Sequence, residues 1–371
     1  MRVLLIGNYE HDRQESMQRF AELMMRELPQ RGLEVRLVKP TARLGRLKPG
    51  AGGLGKWLGY VDKFALFPQD LPTHLGWCDV VHICDHSNAM YCRYLAARPT
   101  VVTCHDLLAV RGALGEDTDC PAGIAGGHLQ RWILKGLHQA QVLAAVSSYT
   151  LADAQRLVQS GPRLGLVLNG LNQPFRPLDV SEIQGRIAPL LPTLGGRPYV
   201  LHVGSNLRRK NREAVLRIGA LIKDRWPGDV VFAGQPLSQE LRALARQLGI
   251  EGRIHDVVRP DDQQLEALYG GAHAFLFPSR YEGFGWPIIE AQACACPVVC
   301  SACGPFLEVA GDGALIHDVE DEAGMAEDIL RLSEPGFRSQ LVSQGTANLS
   351  RFTTDRMIDE YIALYRDLTP C

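Results

Sequence analysis

Glu282 and Glu290 stand eight residues apart, on either side of the run Gly283-Phe284-Gly285-Trp286-Pro287-Ile288-Ile289. The two glycines let a polar ligand come close to the main chain. Pro287 suits the first turn of a helix, where N–H groups such as those of Ile288 and Ile289 and the positive end of the dipole favour a phosphate. One carboxylate falls in the loop and the other about a turn inside the helix. The stretch can therefore address hydroxyls on either side of a phosphate, as recognition of a nucleotide-sugar requires. A second group is cationic: Arg208, Arg209 and Lys210 follow Gly204, whose lack of a side chain allows a tight strand exit, and adjacent cations can neutralise a diphosphate. A solvated basic loop is the plain alternative for these residues. Third, His86 and His105 each follow a short apolar run, in Asp85-His86-Ser87-Asn88 and Cys104-His105-Asp106-Leu107. Ligands of open parallel sheets collect beyond the carboxyl ends of strands, which offers both histidines and Asp106 a functional place beside the commoner structural one.

The elements that must position these residues alternate. Short apolar runs at 3–6, 34–38, 80–84, 101–104 and 142–146 are separated by helical signals, the pattern of a parallel sheet wrapped by helices. Met17, Phe20, Met24 and Leu28 recur at helical spacing, so the first helix is expected over 16–28, ended by Pro29 and Gly32. Breakers concentrate from Pro174 to Pro198, and the alternation restarts at Tyr199. The chain, at 371 residues, therefore divides into an amino domain over 1–172, a linker over 173–196 and a second domain over 197–351.

Glu282-Gly283-Phe284-Gly285-x-Pro287-x-x-Glu290, preceded by Pro278-Ser279, resembles the Glu-seven-residues-Glu signature of the retaining glycosyltransferases of family four, the group 1 glycosyl transferases. Thr103-x-His105-Asp106 is similar to that family's amino-domain strand end, and Gly204 to Asn211 to its glycine-then-Arg-Lys-Asn loop, with Ser205 where many members carry arginine. The resemblance implies the GT-B fold, an α/β protein of two doubly wound Rossmann-like domains facing across a cleft, with a terminal helix at about 352–371 crossing back onto the amino domain. It implies a retaining hexosyl transfer from a nucleotide-sugar, GDP-mannose ahead of a UDP-hexose, to a glycan or lipid-linked acceptor in bacterial surface polysaccharide or glycolipid synthesis. On this pattern His105, Lys210 and Glu282 are catalytic. Gly204, Arg208 or Arg209, Lys210, Glu282 to Gly285, Ile288, Ile289 and Glu290 hold the donor, and His86 and Asp106 lie on the acceptor side. No cofactor or metal is expected, the nucleotide-sugar being a co-substrate. A sugar-nucleotide epimerase or phosphorylase on the same fold, or a non-catalytic sugar-nucleotide binder, are the alternatives.

A net charge of −2 gives no global pull toward nucleic acid. The apolar run after Met1-Arg2 is too short for a signal-peptide core, and no run approaches a membrane span, so a cytoplasmic or peripheral protein is expected. Between Arg31 and Lys63 the cations outnumber the acids by six, and over 43–67 they interleave with Trp57, Tyr60, Phe64 and Phe67. That segment suits either a membrane interface or a core-facing helix with solvated lysines. Cys294, Cys296, Cys300 and Cys303 crowd together without the paired arms of a zinc site and read better as small hydrophobes.

Overall fold

The computed structural model describes residues 1–12, 14–47 and 53–369. It divides into two compact units, Met1–Asn172 with Thr354–Cys371, and Gln173–Thr353. The first unit is built on β1 (Arg2–Ile6), β2 (Glu34–Val38), β3 (Val80–Ile83), β4 (Thr100–Cys104), β5 (Val142–Ala145) and β6 (Arg163–Leu166). They form one sheet in the order β2-β1-β3-β4-β5-β6, and each pairing is parallel. β3, β4 and β5 are buried at every position, which is why they read as unbroken apolar runs. Register brings the carboxyl ends level: Ile6 pairs with Ile83, Ile83 with Val102, and Cys104 with Ala145. Asn8, Asp85, His86 and His105 therefore emerge at one edge, and strand order reverses between β1 and β3, where such folds take ligands.

Two helices close this sheet. Glu15–Glu27 buries Phe20, Ala21, Leu23 and Met24, and the chain leaves through Pro29–Arg31 and a left-handed Gly32 (φ 78°). Thr354–Leu368 buries Met357, Ile358, Tyr361, Ile362 and Tyr365, a 3-4 spacing that puts one apolar stripe inward. Its two tyrosines end in a buried hydrogen-bond chain. Tyr365 Oη lies 2.6 Å from His82 Nδ1, His82 Nε2 2.7 Å from Thr103 Oγ1, and Thr103 Oγ1 2.7 Å from Tyr361 Oη.

The basic, aromatic segment splits in two. Gly53–Val61 and Phe67–Leu75 are helices joined by a π-helical turn over Asp62–Leu66. Asp62 is buried and accepts from Leu44 N, Gly45 N and Tyr9 Oη, which ties the 44–45 backbone to this turn. Phe67 is core, Phe64 packs 5.2 Å from Trp132, and Lys63 is paired with Asp12 and only 12% exposed. Trp57 and Leu47, by contrast, are 64% and 71% exposed. Lys48, Gly50 and Gly52 lie outside the described residues.

The second unit carries β7 (Tyr199–Gly204), β8 (Asp229–Gly234), β9 (Ile254–Val258), β10 (Ala274–Phe277), β11 (Val298–Ser301) and β12 (Ala314–His317). Read from one edge the order is β9-β8-β7-β10-β11-β12, all parallel, the doubly wound dinucleotide-binding order with its reversal between β7 and β10. The stretch 173–196, whose prolines and glycines suggest a linker, is folded onto this unit. Its Phe175, Ile187, Leu191 and Leu194 are buried, and the helix Val180–Ile187 is bonded through Arg186 to Glu266 at 2.8 Å. Cys294, Cys296, Cys300 and Cys303 are buried and free, and burial pushes all four thiols up. Among the described residues, no group of three or more His, Cys, Asp or Glu is arranged to hold a metal ion, and no helix is long and apolar enough to cross a membrane.

Candidate functional site

In the second unit the two loops at the strand reversal are sewn together. After β7 the chain passes Gly204 and makes a tight turn over Arg208–Lys210, then enters the helix Arg212–Ile222 through Asn211 in the left-handed region (φ 51°). Asparagine tolerates that conformation, and its side chain adds a reason for being there: Nδ2 donates to the Pro278 carbonyl at the end of β10, 3.0 Å away. The Arg280 N–H donates to the Arg209 carbonyl at 2.8 Å, a second stitch between the loops. Arg212, also buried, donates to the carbonyls of Gly204 and Gln235 and to Asn206 Oδ1, so one guanidinium holds the whole glycine loop. Burial pulls its pKa down to about 10. Asn211 closes the Arg-Lys-Asn motif in the sequence, whereas Arg212 does not stand out there and merges into the basic run before the helix.

Glu282 is the centre of this arrangement. Its Oε1 accepts from Lys210 Nζ at 2.6 Å and its Oε2 from Arg209 Nη1 at 2.8 Å, and Arg209 also donates to the Tyr281 carbonyl. Burial alone would raise the Glu282 carboxyl, but Lys210 and Arg209 overcome it and hold the group below its ordinary value. At Lys210 the balance runs the other way: burial outweighs the attraction of Glu282, and the ammonium pKa falls. Two cations and one carboxylate leave the cluster formally cationic, a setting for an anion. Of the two candidate arginines, Arg209 is the one at Glu282, while Arg208 is exposed.

Gly285 makes the turn into the helix Trp286–Ala293 at φ 103°, and a Cβ there would meet Phe306 Cε1 at 2.6 Å, so the position needs glycine on both counts. Phe284 faces inward, packed edge-on to Trp286 and Phe352, so it can offer a ligand only its backbone. The expectation that the Ile288 N–H is open to a phosphate is not met. It donates to the Gly285 carbonyl at 3.0 Å, because Pro287 and the left-handed glycine tighten the first turn. Glu290 is buried and accepts at Oε2 from the hydroxyl of Tyr269, 3.0 Å away on the helix Asp262–Gly271. In the sequence Tyr269 shares a helix with Leu265 and Leu268 and carries no sign of this contact.

In the first unit His105 is buried, with Nε2 2.9 Å from the Cys84 carbonyl and Phe20 edge-on at 4.9 Å. A carbonyl can only accept, so the ring carries its proton on Nε2, and burial lowers its pKa. His86 Nδ1 lies 3.1 Å from Asp85 Oδ1. Burial opposes the charged forms of both, yet each raises the other's ionised state: His86 moves up and Asp85 well below the usual carboxylate range. Asp85 also accepts from Asn8 Nδ2 at 2.5 Å and Ser87 N at 3.1 Å. Asp106 accepts from Leu108 N at 3.0 Å, at the start of the short helix Leu108–Ala113, which gives it a structural task. Asn8 and Asp85 are the members that sequence reasoning passes over, since only the parallel register brings residues 77 apart together.

The family described as Glycosyl transferases group 1 matches residues 191–346, which takes in both loops, Glu282 and Glu290. A D-inositol 3-phosphate glycosyltransferase of Acidothermus cellulolyticus is 29% identical over 92% of this chain and 83% of its own length. The O-antigen chain mannosyltransferase B of Escherichia coli is 28% identical over 64% of each chain. Among solved structures, HepE of Anabaena in complex with UDP and glucose superposes with a TM-score of 0.76 at 16% identity, covering 99% of this chain and 100% of that one. Two doubly wound sheets of the GT-B kind, with the loop signature seated in the second, agree with these relationships: over 191–346 the chain is similar to the group 1 glycosyltransferases.

Proposed function

We propose that the protein is a retaining hexosyltransferase that moves a sugar from a nucleotide-sugar to a glycan or lipid-linked acceptor, in the synthesis of a bacterial surface polysaccharide or glycolipid. The observation that carries this reading is the ion triad of Arg209, Lys210 and Glu282 at the β7/β10 reversal. A departing nucleoside diphosphate gains negative charge as the glycosidic bond stretches, and two preorganised cations in a buried site favour that state over the ground state. In this reading Lys210 and Arg209 face the diphosphate, the loop 282–285 addresses the sugar, and Glu290 takes the ribose hydroxyls. On the family pattern His105, after β4, is assigned to the transferred sugar, and His86 and Asp106 to the acceptor.

Retention could proceed through a covalent glycosyl-Glu282 or by attack on the face the diphosphate leaves. The second course fits better. Both Glu282 oxygens are engaged by cations and its carboxyl is held below its ordinary value, which makes it a poor nucleophile. The mannosyltransferase relative supports GDP-mannose as donor and the UDP complex of HepE supports a UDP-sugar, so the base is decided by experiment. The test is a panel of UDP- and GDP-hexoses followed by proton NMR. An α-linked donor should release its nucleoside diphosphate and give the α-configured sugar first. A β-configured first product would overturn retention, epimerised donor would favour an epimerase, and nucleotide binding without turnover would favour a non-catalytic binder.

A further inference from the structure

Glu282 and Glu290 are buried to a similar degree but are held differently. Cations grip both oxygens of Glu282, whereas a neutral hydroxyl reaches Glu290, donated by Tyr269 to Oε2 at 3.0 Å. A hydroxyl donor fixes the plane of a carboxylate without adding a counter-charge of its own. Tyr269 is itself immobile. It is fully buried, and its ring stands edge-on to Phe275 at 5.3 Å and to Phe175 at 6.2 Å. Burial, and then Glu290, push its phenol well above its ordinary value, so it keeps the proton that it donates.

We propose that Tyr269 is a positioning residue for nucleotide specificity: it sets the Glu290 carboxylate so that the site distinguishes a ribose from a deoxygenated sugar on the nucleotide. This rests on the reading that Glu290 receives the ribose hydroxyls. Tyr269→Phe keeps the ring, its packing and the carboxylate, and removes only the orienting hydroxyl.

The experiment is calorimetric titration of UDP and GDP against their 2′,3′-dideoxy forms, on wild type, Tyr269→Phe, Glu290→Ala and the double variant. The ratio of dideoxy to ribo Kd is internal to each variant, so a loss of folded protein does not distort it. Wild type should prefer the ribonucleotide at least about tenfold, the scale of a charge-assisted hydrogen bond. Tyr269→Phe should cut that ratio at least about threefold and Glu290→Ala should bring it near one. The double variant should match Glu290→Ala, because both changes act through one carboxylate. A wild-type ratio in Tyr269→Phe, with the ratio collapsed in Glu290→Ala, would overturn the positioning role alone. A wild-type ratio in Glu290→Ala would overturn the ribose reading and the inference with it.

Discussion

Removing Glu282 strips two half-buried cations of their counter-charge, while removing Glu290 strips a hydroxyl acceptor from the helix Trp286–Ala293. These changes should separate in a titration with free nucleoside diphosphate. Glu290→Ala should weaken binding by about 1.5 to 3 kcal/mol, one charge-assisted hydrogen bond. Glu282→Ala should leave that affinity unchanged or tighten it, since Lys210 and Arg209 would then meet the diphosphate uncompensated. Equal losses in the two variants would contradict the division of labour. The two glutamates and Lys210 are legible as residues because loop glycines, a helix-start proline and charge run together in sequence. Their partners are not. Choosing Arg209 over Arg208 needs the turn geometry of 208–210, and Tyr269 reaches Glu290 only once two helices pack side by side.

At the scale of elements, β1 and β3 to β5 are legible because burial leaves unbroken apolar runs, and the edge strand β2 is legible from Val35, Leu37 and Val38. β6 is missed because Arg163-Leu164-Gly165-Leu166 lies at the sheet edge and is half exposed, with no run to find. The stretch 173–196 misleads for the opposite reason: its breakers are conspicuous, while the four apolar residues that fasten it are scattered. The turn into the helix Trp286–Ala293 admits only glycine, so Gly285→Ala should cost about 1 to 3 kcal/mol by denaturant unfolding and weaken nucleotide binding as well. Full stability in that variant would show that Phe306 yields freely. The chain from Tyr365 through His82 and Thr103 to Tyr361 makes the terminal helix pH-sensitive. Burial lowers the His82 pKa to about 3 from an ordinary value near 6.5. The unfolded chain therefore binds a proton that the folded chain refuses: the contribution is fully present above about pH 6.5 and is lost as pH falls toward 3. The slope should be about 1.4 kcal/mol per pH unit from this residue. Urea unfolding between pH 7 and 4 should show a shallower acid loss for His82→Gln than for wild type, and identical slopes would contradict the assignment.

At the scale of the whole molecule, a net charge of −2 conceals an excess of cations between Arg31 and Lys63, of which Arg31, Lys39, Arg43 and Lys63 are paired with acids. Leu47, Trp57 and Val61 are exposed there beside Arg46 and Lys56, whereas Phe64 and Phe67 belong to the core and Lys63 to its pair with Asp12. If that surface rests on anionic lipid, each cation contributes about 1 kcal/mol and salt weakens attachment. Arg46→Glu with Lys56→Glu and Trp57→Ala should reduce co-sedimentation with phosphatidylserine vesicles at least tenfold while donor hydrolysis is unchanged. Unaltered sedimentation would leave these residues as solvated surface. The central claim, that half-buried cations at the strand reversal stabilise a departing diphosphate, is tested most directly by donor hydrolysis with Lys210→Ala. The expected result is a fall in kcat of about a hundredfold to a thousandfold with the donor KM little changed. A donor KM that rises while kcat holds would show that Lys210 binds only the ground state, and would contradict the account.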